Sequence, residues 1–158
     1  MDEKRELLRH TLATLAYRGA KAVRDAPPQF GSFRVSDSSR TPVEILAHIG
    51  DLVAWGKRMA DGTKRWENST PLAWSEEVDR FFQRLQEFES YLASEAALQT
   101  PAEKLFQGPI ADALTHVGQL TLLRRACGAP IRGENYYKAD IAAGRVGAAQ
   151  AAPKLEFD

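Results

Sequence analysis

A chain of 158 residues, 44% apolar and 27% charged, has the length and balance of a single globular domain with one sizeable core. Its 21 basic side chains match 21 acidic ones, and no Lys/Arg run exceeds a pair, so no nucleic-acid partner is expected. One cysteine (Cys127) excludes an intramolecular disulfide, MDEKRELLRH is too charged for a signal peptide, and no apolar run approaches the ~20 residues of a membrane span, so a cytoplasmic protein without a membrane partner is expected.

The pattern along the chain predicts an all-α fold, with turn chemistry between helices and no strand alternation. A first helix is expected over residues 3–25, on the line Leu8, Leu12 and Leu15, ended by Pro27 and Pro28. The loop QFGSFRVSDSSR follows. Thr41-Pro42-Val43-Glu44 then reads as a capping box with proline at the first helical position. The second helix should run to Ala60 and break at Asp61-Gly62.

A linker carrying Trp66, Pro71 and Trp74 leads to a third helix, for which Ser75 is the expected cap. Glu76 and Glu77 suit its positive end, and Val78, Phe81, Phe82, Leu85, Phe88 and Leu92 form a strong apolar face. Thr100-Pro101-Ala102-Glu103 repeats the capping-box pattern and predicts a short helical turn. Gly108-Pro109 is expected to interrupt it and start a fourth long helix ending near Cys127, with Gly128 as stop signal. Residues 129–158 are rich in Gly and Ala. They are expected to lie across the bundle as irregular chain, anchored by Tyr136, Tyr137 and Ile141, with the last few residues disordered. Four long amphipathic helices and this tail make one four-helix-bundle domain over residues 1–158.

Two apolar faces carry histidines. In EILAHIGDLVAW, His48 falls inside the apolar arc of the second helix, near its edge, flanked by Glu44 and Asp51. In IADALTHVGQLTLLRR, His116 sits beside Leu120 and Leu123, with Asp112 one turn before it on the same flank. Imidazole nitrogen and carboxylate oxygen suit a divalent transition metal, and three protein ligands leave coordination positions open for chemistry. The same pattern also fits a hydrogen-bonded core histidine and a simple Asp–His pair, so the residues alone leave both readings open.

The stretch EILAHIGDLVAW followed by DALTHVGQLTLLRRACGAP resembles the DinB-like superfamily of bacterial four-helix bundles, over most of the chain. The motif HVGQL, followed by LRR and a Gly-Ala-Pro stop, is the most specific part. The resemblance implies a divalent metal held by three histidines, one on the second helix and an H-x-x-x-H pair on the last. His48 matches the first and His116 the last, while Asp112 stands where the family usually has histidine. That departure implies either a two-His, one-carboxylate site for Zn, Ni, Fe or Mn, or a decayed site in which Asp112 only hydrogen-bonds His116.

Members of the family are described as metal-dependent hydrolases or as transferases of a low-molecular-weight thiol, including mycothiol-dependent maleylpyruvate isomerases. A small-molecule substrate and a homodimer are implied with them. The expected enzyme would use the metal to activate water or a thiol. Asp51 and Gln119 would orient ligands or substrate, although Asp51 equally fits a solvated surface charge. Trp55 would wall the pocket or pack on a neighbouring helix. Arg124 would bind an anionic substrate or reach out at the helix end. Tyr136 and Tyr137 would close the pocket mouth or anchor the tail. Cys127 reads as packed and His10 as solvated. The alternative is a non-catalytic dimeric bundle, a binding or stress protein with a degenerate metal site.

Overall fold

Four helical rods form the protein in a computed structural model that describes residues 2–157. Helix α1 spans Glu3–Val23, α2 Pro42–Asp61 and α3 Trp74–Ala93. The fourth rod is continuous: α4 (Ala102–Leu105), a π-helical turn (Phe106–Ile110) and α5 (Ala111–Ala126) follow one another without a break. The rods pack in a ring in which α2 lies between α3 and α5, and α1 touches the other sides of both. Apolar side chains at helical spacing fill the centre. Leu12, Leu15, Ile49, Phe81, Leu85, Phe88, Leu92 and Leu120 are all fully buried, each contributing about 1.5–3 kcal/mol of hydrophobic stabilisation. Among the described residues, no helix is long and apolar enough to cross a membrane.

The capping box of α2 forms as its sequence predicts. Thr41 Oγ1 accepts from the Glu44 N–H at 3.3 Å, and Glu44 Oε2 accepts from the Thr41 N–H at 2.7 Å. At the other end Gly62 adopts φ +89°, the left-handed conformation that stops the helix.

Two other expected caps do not form. Helix α3 starts at Trp74, with Ala73 at its N-cap and no side-chain acceptor, so Ser75 lies inside it. Glu77 takes over the role: its Oε2 accepts from the Leu72 N–H at 2.9 Å, and Arg80 Nε donates to its Oε1 at 2.8 Å. Thr100 likewise turns away from its own helix. Its hydroxyl donates to the Met59 carbonyl at 2.7 Å, and the Gln99 N–H donates to Ala60 at 2.8 Å, so this loop satisfies the open carbonyls of α2.

Gly108-Pro109 does not interrupt the last rod. Proline lacks the N–H an α-turn needs, and its ring collides with the carbonyl four residues back. The wider π-turn accommodates it, with the Ala111 N–H reaching the Phe106 carbonyl. Space for this turn comes from Gly56 on α2, where an added Cβ would lie 2.8 Å from Phe88 and 3.2 Å from Pro109.

The loop before α2 is also more structured than its Ser/Gly content suggests. Phe30, in a short 3₁₀ turn, is fully buried and meets Trp74 edge-on at 5.2 Å. The tail ends in order as well: Gly133–Glu134 pairs antiparallel with Glu156–Phe157. Glu134 is buried there, accepting from Lys21 Nζ at 2.7 Å and from the Tyr17 hydroxyl. Of the expected disordered end, Asp158 lies outside the described residues, while 156 and 157 belong to this ladder. Tyr136 anchors the tail as expected, whereas Tyr137 is 97% exposed and anchors nothing; fully buried Val146 does so instead.

Candidate metal centre

Because α2 and α5 are neighbours in the ring, the edges of their apolar faces meet, and both histidines lie on those edges. The rings of His48 and His116 stand nearly perpendicular, with centroids 4.8 Å apart. Asp112, one turn before His116, brings Oδ1 to 3.3 Å from His116 Nε2. One donor atom from each of His48, Asp112 and His116 lies within 4.8 Å of the other two. Two ligands each about 2.1 Å from one ion are at most about 4.2 Å apart, so a slight inward rotation of these side chains would close the set. The histidines are half-buried and Asp112 is exposed, so the cluster opens to solvent on the carboxylate side.

The surroundings of His48 favour a neutral, ligating imidazole. Burial, followed by the proximity of His116 and Arg40, holds the His48 pKa below the ordinary histidine value. Gln119 Oε1 lies 2.8 Å from His116 Nδ1. With that oxygen accepting, Nδ1 carries the proton and the Nε2 lone pair faces Asp112 and His48. The donor set of two imidazoles and a carboxylate therefore fits a borderline divalent cation.

The expected supporting residues divide into two groups. Gln119 holds His116 directly. Asp51 lies beside His48 on the wall of the same small hollow, but it is buried rather than solvated. It accepts from Arg84 at 2.7 Å, and from the Ser69 hydroxyl at 2.6 Å and N–H at 2.9 Å. Its role is to pin the linker between α2 and α3 over the site. Trp66 on that linker meets His48 edge-on at 5.9 Å, and Trp55 meets Trp66 at 5.8 Å. Trp55 thus backs the wall, and Trp66 is the aromatic ring against the histidine.

Arg124 and Tyr136 lie elsewhere. Arg124 is 5% exposed and donates to the carbonyls of Ala129 (2.8 Å), Ala22 (3.0 Å) and Arg24 (2.9 Å). It fastens the end of α1 to the end of α5, and its guanidinium has no face left for an anion. Tyr136 packs against α1, edge-on to Tyr17 at 6.2 Å and under Arg18 at 4.2 Å. It therefore closes no metal pocket. Cys127 is half-buried, with its thiol 3.3 Å from the Arg124 carbonyl, and His10 is exposed.

Sequence reasoning missed Trp66 and Arg40. Trp66 sits in a linker without periodicity, and nothing local links it to His48. Arg40 immediately precedes the Thr41 cap, and that position presents it to His48 and His116. It borders two hollows at once: one of about 410 Å³ against His116 and Gln119, and one of about 150 Å³ against His48 and Asp51.

Comparison with known protein families, with curated proteins and with solved structures returns no match to this chain.

Proposed function

We propose that the protein is a metal-dependent enzyme in which His48, Asp112 and His116 hold one divalent transition metal, with Zn, Ni, Fe and Mn as the candidates. The observation that carries this reading is the convergence of three donor atoms, from two different helices, to within 4.8 Å. When bound, such an ion would acidify a water or a low-molecular-weight thiol in its open positions. The chain's own residues do the rest. Gln119 keeps His116 in one tautomer and orientation, and Asp51, through Ser69, holds the linker that carries Trp66 against His48. Solvent reaches the centre on the side of exposed Asp112.

The same proposal takes the chain as a divergent member of the DinB-like superfamily, cytoplasmic and homodimeric, acting on a small molecule. The order of the two histidine helices and the all-helical bundle support that assignment.

A second reading has one observation in its favour. Both ring nitrogens of His116 already have protein partners, Gln119 and Asp112, as they would in a decayed site within a non-catalytic bundle. Metal content after purification without a nickel column separates the two. Stoichiometric metal in the parent, lost in both His48→Ala and His116→Ala, supports the enzyme. A metal-free parent whose stability is unchanged by either substitution supports the bundle. Hydrolase and transferase then separate on whether product forms only when a small thiol is supplied.

A further inference from the structure

Arg40 is an exposed guanidinium to which no hydrogen bond or ion pair attaches among the described residues. Its charge is felt by Glu44 and His48, but neither bonds to it. Glu44, on the wall of the smaller hollow, is engaged by the backbone N–H of Thr41 at 2.7 Å and by Arg34 at 3.7 Å. Asp51 is consumed by Arg84 and Ser69. Five fixed donors in a planar fork are thus left open beside His48 and His116, on the shared wall of both hollows.

The larger hollow has a second unusual feature. Beyond Ser39, Arg40, His116 and Gln119 its lining is apolar: Ile45, Leu122 and Leu123. Leu122 is 63% exposed, although it stands on a helix whose other leucines largely turn inward. An open cation, the His116 imidazole and an aliphatic patch led by exposed Leu122 share this hollow and match one kind of molecule. It carries an oxyanion head and an apolar body. Charge points the same way: a divalent ion with Asp112 as its only anionic ligand keeps a net positive charge, and Arg40 adds another.

We infer that Arg40 determines substrate specificity at this site, and that the substrate is a small organic oxyanion whose head pairs with Arg40 while its body lies on Ile45, Leu122 and Leu123. This inference rests on the metal reading above. The guanidinium fork fits a carboxylate and a phosphate alike. Arg40 is a binding residue, with no part in holding the metal.

The test uses the full-length protein loaded with cobalt(II), titrated calorimetrically with phenylacetate, phenyl phosphate and neutral phenylacetamide. At least one anion is expected to bind tenfold or more tighter than the amide, and the tighter anion identifies the head group. Arg40→Gln should remove that tenfold preference, and Arg40→Lys should restore part of it, with cobalt stoichiometry and visible spectrum unchanged in both. Equal binding of the anions and the amide, or an anion affinity unmoved by Arg40→Gln, overturns the inference while leaving the metal site intact. Failure of the parent to take up cobalt removes the metal reading, and this inference with it.

Discussion

The imidazoles of His48 and His116 face each other edge to face, 4.8 Å between centroids, across the seam where α2 packs on α5. Both rings are half-buried, Asp112 stands exposed beside them, and a glutamine holds the His116 ring from the other side. The seam is the most informative place in the molecule to perturb.

The Gln119 side chain hydrogen-bonds His116 at 2.8 Å and is otherwise exposed. Replacing it with alanine should leave folding almost untouched and release the His116 ring. Metal affinity is expected to fall by about 10–100-fold, as is usual when the partner of a ligating histidine is lost. Competition with a chromophoric chelator measures this, and an unchanged affinity would mean that Gln119 does not orient the ligand.

Asp51 and Arg84 form a buried pair, 5% and 16% exposed, bonded at 2.7 Å. Arg84→Ala leaves the carboxylate without its counter-ion, held by Ser69 alone, and is expected to cost about 1.5–3 kcal/mol. An Asp51→Asn, Arg84→Met double variant should lose less than the single one, because no bare charge remains. Urea midpoints of the three proteins provide the check.

Arg124 donates to carbonyls at the ends of both α1 and α5. Arg124→Leu should therefore destabilise the fold by about 3 kcal/mol, since charged hydrogen bonds are lost and buried acceptors are left open. Cobalt uptake and anion binding by the fraction that remains folded should match those of the parent. A selective loss of anion binding at unaltered stability would return Arg124 to the substrate site.

His48 is held below the ordinary histidine pKa of 6.5, chiefly by burial. The unfolded chain therefore takes up a proton that the folded one refuses. Stability of the metal-free protein should be fully present above about pH 6.5, decline as pH falls toward the folded pKa, and level off below it. The slope from this one group is at most about 1.4 kcal/mol per pH unit. Denaturation of the parent and His48→Phe between pH 7.5 and 5 tests the sign. A slope that is the same in the variant would assign the pH dependence to other groups.

Much of the architecture could be read from local signals. The Thr41–Glu44 box, the apolar stripe from Phe81 to Leu92 and the stop at Gly128 rest on spacing and capping chemistry that span only a few residues. Where a cap failed, a competing partner had won, from another element in one case and from within the same helix in the other. Thr100 bonds Met59 on α2, and Glu77 rather than Ser75 organises the start of α3. The π-turn was hidden for a similar reason, since Gly108-Pro109 reads as a break unless Gly56 on a different helix is known to make room for it.

The candidate site divides along the same line. Helical periodicity alone placed His48 and the Asp112–His116 pair on the edges of two apolar faces. Whether those edges meet depends on which helices become neighbours, a matter of packing across the whole core. Tertiary structure also decided the surrounding cast. It put Trp66 and Arg40, both in aperiodic segments, beside the histidines, and it sent Arg124 and Tyr136 to hold the ends of α1 and the tail. The sequence alone determined the helices and the faces that carry the ligands, because those follow from interactions within a turn or two. Convergence, access and the occupants of the pocket wall were decided by contacts between residues far apart in the chain, which no local pattern encodes.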